Sequence, residues 1–241
     1  MPDTPANDLT ESSATVPTRT AATPRTLHAV LFDMDGTLVD TEGLWRLAVE
    51  REAELLGLAL GDEDEQHILG RPIEYTAAHL HRSSGTDRSE ESLAEALGQG
   101  FAELVGTRVE PLPGALDLLD ALGAAGIRTA LVSASPRNVV DTVLDALGRS
   151  RFTVSFAAGE TPHTKPAPDP YLAAVRALGL SADTCVAVED TPVGVASAEA
   201  AGCTVVAVPS ATAIPAAPGR TVVGSLLDVD LPLLRSLIAN G

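Results

Sequence analysis

The rhythm of hydrophobic positions changes twice along the 241-residue chain. Residues 1 to about 26, rich in Thr, Ala, Pro and Ser, carry no hydrophobic period and read as a disordered tail. The first apolar run, His28-Ala-Val-Leu-Phe-Asp33, ends in an acidic cluster and a glycine, the pattern of a buried parallel strand running into a loop. From Gly43 to Glu110 the period becomes helical. Leu44, Leu47, Ala48 and Leu55 recur among Arg and Glu, and Leu93, Leu97, Phe101 and Leu104 follow, with no strand-like run between them. This predicts an all-helical insert over 43–110.

Beyond Pro111 short apolar runs alternate with helical patterns. Strands are predicted at Ile127–Val132, Thr153–Phe156, Thr184–Val188, Thr204–Val208 and Thr221–Val223. Helices are predicted at Pro113–Leu122, Val139–Leu147, Pro170–Leu178 and Pro192–Ala201, most of them stopped by a glycine. Such alternation predicts an α/β fold, a Rossmann-like doubly wound parallel sheet built from 27–42 and 111–241. Ligands of such sheets sit outside the carboxyl ends of the strands.

Charge narrows the partners. The net charge of −17 leaves no basic stripe for nucleic acid or an anionic membrane. No apolar run approaches the ~18 residues of a spanning helix, and no basic-then-apolar signal opens the chain, which predicts a cytoplasmic protein. Oligomeric state is not legible in the pattern, and a monomer is favoured. Cys185 and Cys203 form no Cys-x-x-Cys pair. Of the 16 basic residues, Lys165 is the single lysine.

Four polar clusters fall at predicted strand ends. In Asp33-Met-Asp35-Gly-Thr-Leu-Val-Asp40, two carboxylates two residues apart can divide nucleophile and acid/base roles, although a turn with capping aspartates has the same spacing. Ser133 of Ser133-Ala134-Ser135 offers a hydroxyl to a phosphate oxygen, with backbone N–H groups of the turn, that of Ala134 included, as further donors; a serine there is equally an ordinary N-cap. Lys165, in Lys165-Pro-Ala-Pro, is a compact point charge in a chain that otherwise uses Arg, although a lysine on a loop is ordinarily a solvated surface residue. Glu189-Asp190 supplies adjacent hard oxygen ligands of the kind Mg²⁺ prefers, or a helix cap. Together they form an inventory for phosphoryl transfer, where the protein positions groups and neutralises charge.

In order and spacing, these motifs resemble the four ordered motifs of the haloacid dehalogenase superfamily, over about residues 27–210. The helical insert resembles that superfamily's type-one cap, as in its β-phosphoglucomutase-like and sugar-phosphate phosphatase subgroup. The resemblance implies that Asp33 is the nucleophile, forming an aspartyl-phosphate, and that Asp35 is the general acid and then the base. It also implies that the Asp33 carboxylate, the Asp35 backbone carbonyl and Asp190 hold Mg²⁺, with Glu189 ligating directly or through water. Ser133, Ala134 and Lys165 would bind the transferring phosphoryl group.

Within the superfamily, dehalogenases lack the second aspartate, which is present here as Asp35. Phosphonate hydrolases use a cap lysine, and the insert has none. The mutases carry a cap histidine where this chain has Trp45, and their cap arginine matches Glu74. What remains is a phosphatase acting on a small phosphate ester, with sugar phosphates the implied class. A phosphomutase and a non-catalytic phosphometabolite-binding protein are the alternatives. Trp45, Arg71 and Asn138 are candidate substrate contacts; a tryptophan on a helix also serves packing, and a surface arginine needs no ligand.

Overall fold

The computed structural model describes residues 25–68, 71–210 and 212–239, so most of the tail predicted over 1–26 lies outside the described residues. Six strands, β1 (Ala29–Phe32), β2 (Arg128–Val132), β3 (Val154–Phe156), β4 (Cys185–Glu189), β5 (Thr204–Ala207) and β6 (Arg220–Val222), form one sheet in the order β3-β2-β1-β4-β5-β6. Every pairing is parallel. The chain builds outward from β1 to β3, then returns to lay β4 on the other side of β1. The β1–β4 seam is therefore the topological switch point, where such sheets open a crevice. The register Phe32↔Val188 sets Asp33 beside Glu189 at the mouth of that crevice.

Because alternate side chains of a strand point to opposite faces, the sheet has two unlike surfaces. Val30, Phe32, Leu131, Val186, Val188 and Val206 face the larger core, shared with α5 (Ala115–Ala124), α6 (Arg137–Leu147), α9 (Leu231–Ala239) and the insert. Ala29, Leu31, Ala130, Val132, Ala187 and Ala207 face α7 (Asp169–Ala177) and α8 (Pro192–Ala200). The alanines on this second face let α7 and α8 lie close to the sheet.

The predicted elements of the alternating half are present with ends shifted by one or two residues. Between β1 and α5 the chain is helical: α1 (Glu42–Leu55), α2 (Glu65–Ile68), α3 (Ile73–Ser84) and α4 (Glu90–Arg108). Periodicity does not reveal α3, because two of its three buried positions are Thr76 and Ala77. Nor does it reveal α9, whose sequence LPLLRSLIA is apolar almost all round although only Leu234 and Ile238 are buried. The two connections to the insert run side by side, with Val39 bridging Pro111 and the Leu112 N–H donating to the Leu38 carbonyl at 2.8 Å.

Trp45 anchors the insert. Its ring meets Phe101 edge-on at 5.4 Å, and its indole N–H donates to the Ile68 carbonyl at 2.9 Å. Trp45→Phe leaves that buried carbonyl unpaired and should cost about 1–3 kcal/mol of stability. Trp45→Ala should cost about 3–5 kcal/mol through the cavity it opens. Denaturant unfolding followed by far-UV circular dichroism reads both, since the variants lack the single tryptophan. Unchanged stability with weakened substrate binding would instead make Trp45 a substrate contact.

Candidate active site

One ammonium gathers the ends of three strands. The loop between β3 and α7 delivers Lys165, whose Nζ donates to Asp33 Oδ1 beyond β1 at 2.6 Å. It also donates to Glu189 Oε1 at the end of β4 at 2.6 Å, and to the Val132 carbonyl at the end of β2 at 2.8 Å. An ammonium has three N–H donors, and all three are used. Below it, the buried Tyr171 of α7 donates its hydroxyl to the same Glu189 Oε1 at 2.5 Å and presents its ring 5.1 Å from Nζ.

Asp33, Glu189 and Asp190 are all buried and each offers an oxygen within 4.8 Å of the others. Burial pushes the Asp33 carboxyl well above its ordinary range; Lys165 pulls it back, while Glu189, Asp190 and Asp35 push it further up. Burial likewise raises Asp190 to about 7, against a hydrogen bond from Ser210. For Lys165 burial disfavours the charge, but Asp33 and Glu189 outweigh it and hold the ammonium protonated well above its usual range. One cation thus faces three buried carboxylates. Asp190 Oδ1 is buried without a hydrogen-bond partner among the described residues, while Oδ2 accepts from Ser210 Oγ at 2.6 Å.

Asp35 is handled differently. It is partly exposed, and hydroxyls hold both of its oxygens: Thr41 donates to Oδ1 at 2.6 Å, and Ser135 and Ser133 donate to Oδ2 at 2.8 and 3.2 Å. The Ser135 N–H in turn donates to Ser133 Oγ at 2.9 Å, closing the turn before α6.

Two glycines make room for the carboxylates. Gly36 has φ +79°, and a Cβ there would lie 2.3 Å from Asp190 Oδ2. On α8, capped by Thr191 accepting from the Gly194 N–H at 3.1 Å, a Cβ on Gly194 would lie 1.9 Å from Glu189 Oε2.

The fold therefore brings together Asp33, Asp35, Ser133, Lys165, Glu189 and Asp190, with Ala134 exposed on the same turn. Among the described residues, no hydrogen bond brings the other candidates to this cluster. Trp45 is committed to Phe101 and Ile68 inside the insert. Arg71 is exposed, donating to the Gln66 carbonyl and lying over Tyr75, and Asn138 is exposed in the first turn of α6. Sequence reasoning missed four partners. Thr41 and Ser135 lie inside or beside the motifs. Tyr171 lies six residues beyond Lys165, in the first turn of α7, and only Ser210, just past β5, carries no signal but its strand-end position.

A family model of the haloacid dehalogenase-like hydrolases matches residues 27–202. The chain is 35% identical over 195 residues to protein CbbY of Rhodobacter capsulatus, covering 76% of this chain and 86% of that one. It is 31% identical over 192 residues to hexitol phosphatase B of Escherichia coli K12, covering 78% and 86%. Among solved structures, CbbY of Rhodobacter sphaeroides in complex with phosphate superimposes with a TM-score of 0.76 at 26% identity, covering 86% of this chain and 99% of that one. A variant of that protein has been solved with xylulose-(1,5)bisphosphate, with the same TM-score and coverage at 25% identity. By sequence over most of its length and by the architecture of its sheet, this chain belongs to the haloacid dehalogenase-like hydrolases.

Proposed function

We propose that the protein is a Mg²⁺-dependent phosphomonoesterase acting on a small phosphorylated sugar. The observation that carries this reading is the contrast between two aspartates two residues apart. Asp33 is buried against an ammonium 2.6 Å away, whereas Asp35 is partly exposed and held by three hydroxyls. That division suits a nucleophile beside a proton-transfer group. The phosphatase name of one relative and the sugar bisphosphate bound to another support the substrate class.

The donor set fits a divalent cation. Three buried carboxylates meet a single ammonium, and Asp190 Oδ1 has no other partner among the described residues. Asp33, Asp190 and the Asp35 backbone carbonyl would hold Mg²⁺, with Glu189 beside them. When bound, the ion supplies positive charge that keeps Asp33 ionised and screens it from an anionic substrate.

An Asp33 carboxylate oxygen attacks phosphorus, and the ester bond to the sugar oxygen breaks as Asp35 gives that oxygen its proton. The ionised Asp35 then takes a proton from water, whose oxygen attacks the phosphorus of the aspartyl-phosphate. The P–O bond to Asp33 breaks, releasing phosphate and restoring both carboxyl groups. Ser133 and the Ala134 N–H bind non-bridging phosphoryl oxygens, and Lys165 supplies its positive charge beside them, exchanging one of its three present acceptors for a phosphoryl oxygen when substrate enters. Helices 43–110 act as a cap over the crevice. Trp45 stands where the mutases carry a histidine, and its N–H is already committed to Ile68, which favours hydrolysis over transfer to a second substrate group.

Asp33→Asn should abolish hydrolysis of sugar phosphates, because an amide cannot form the acyl-phosphate. Asp35→Asn should slow hydrolysis by about 10²–10⁴ for a sugar leaving group and by much less for p-nitrophenyl phosphate, whose phenolate departs unprotonated. Steady-state kinetics on both esters decides it; equal losses would remove Asp35 from the acid role.

The raised pKa of Asp190, about 7 against an ordinary 3.8, means the folded chain keeps a proton that the unfolded chain releases between those values. Its contribution to stability is present below about 3.8 and is lost as pH rises toward 7. In EDTA, wild type should lose thermal stability relative to Asp190→Asn across that window, and Mg²⁺ should reverse the loss near pH 7. A stability difference independent of pH and of Mg²⁺ would overturn this account of Asp190.

A further inference from the structure

We propose that Ser210, on the loop after β5, is a positioning residue that limits Asp190 to one metal-facing oxygen and so favours a small octahedral cation over Ca²⁺. The inference rests on the reading of Asp190 as a metal ligand.

The two oxygens of Asp190 have unequal surroundings. Oδ2 accepts from Ser210 Oγ at 2.6 Å and lies against the bare α-carbon of Gly36, where a Cβ would come within 2.3 Å. Oδ1 is buried with no partner among the described residues. A carboxylate with one oxygen bonded to a hydroxyl and closed in by backbone is oriented to ligate through the other. Asp190 itself is only 3% exposed, and the hydroxyl reaches it from the exposed Ser210 at the edge of the site. Asp190 carries no other side-chain hydrogen bond among the described residues that would hold this orientation.

Orientation of this kind selects among cations. Mg²⁺ demands near-ideal octahedral geometry from single oxygens at close range, whereas Ca²⁺ takes six to eight ligands and readily accepts a carboxylate through both oxygens. By occupying Oδ2, Ser210 disfavours two-oxygen ligation. Removing the hydroxyl frees Oδ2, weakening the pre-oriented Mg²⁺ site and opening a coordination mode that suits Ca²⁺. Partners beyond the ligands typically change metal affinity by about 10–100-fold when removed.

The test is isothermal titration of the metal-free full-length protein with MgCl₂ and, separately, CaCl₂, for wild type, Ser210→Ala, Ser210→Thr and Asp190→Asn. Ser210→Ala should weaken Mg²⁺ binding about 10-fold while Ca²⁺ binding holds or tightens, so that the Mg²⁺/Ca²⁺ affinity ratio falls. Ser210→Thr, which keeps the hydroxyl, should restore the ratio. Kinetics should show a raised Mg²⁺ requirement in Ser210→Ala with kcat at saturating Mg²⁺ near wild type. Unchanged affinities, or equal weakening for both cations, would overturn the role of Ser210 while leaving the metal site intact, provided Asp190→Asn loses binding. Wild type and Asp190→Asn with the same Mg²⁺ isotherm would overturn the metal reading itself and this inference with it.

Discussion

Everything at the strand ends is arranged around one buried positive charge. The Lys165 ammonium spends its three donors on three different strands, reaching the residue after β1, the last carbonyl of β2 and the last residue of β4. A tetrahedral, compact cation can satisfy three acceptors that converge from separate directions. A planar guanidinium, with its donors in a rigid fork, cannot occupy the same point. This accounts physically for a lysine at this place in a chain that otherwise uses only arginine. It also sets the local charge. Asp33, Glu189 and Asp190 are buried together, and burial drives the carboxyls of Asp33 and Asp190 upward despite the ammonium. The site is left short of positive charge when the protein stands alone.

The sheet makes this convergence possible. Reversal of strand order at the β1–β4 seam opens a crevice where loops from both halves of the sheet meet. The pairing of Phe32 with Val188 then fixes, to the residue, which acidic groups come out side by side. On the α7–α8 face, small side chains bring Tyr171 close beneath the ammonium. On the opposite face, larger ones carry the core continuously into the insert.

Much of this was legible in the chain. The four polar clusters stand at the ends of apolar runs, and a parallel sheet necessarily gathers such ends into one crevice. Residues that act through others were harder to see. Thr41 and Ser135 hold Asp35, but a hydroxyl near a motif carries no pattern that separates it from a cap. Ser210 meets Asp190 only through folding, twenty residues away in sequence. Trp45 illustrates the opposite difficulty. Its place near the first motif fits a substrate contact and a packing role alike, and the structure supplies the packing, with its N–H on Ile68 and its ring on Phe101. Helix α3 escaped periodicity because small and polar residues fill its buried positions, and α9 because it lacks a polar face.

The contact between Gly194 and Glu189 has a consequence for how chains of this kind can diverge. With the carboxylate lying where a methyl group on residue 194 would have to go, position 194 is not free to change while Glu189 keeps its place. A lineage acquiring any side chain at 194 must first shorten or redirect the acid at 189, or move α8 off the alanine-lined face of the sheet. Either step disturbs the partner of Lys165. A side chain at 194 should therefore appear only in descendants whose acid at 189 or whose α8 has already shifted, and the acidic residue becomes a historical constraint on the helical glycine five places after it.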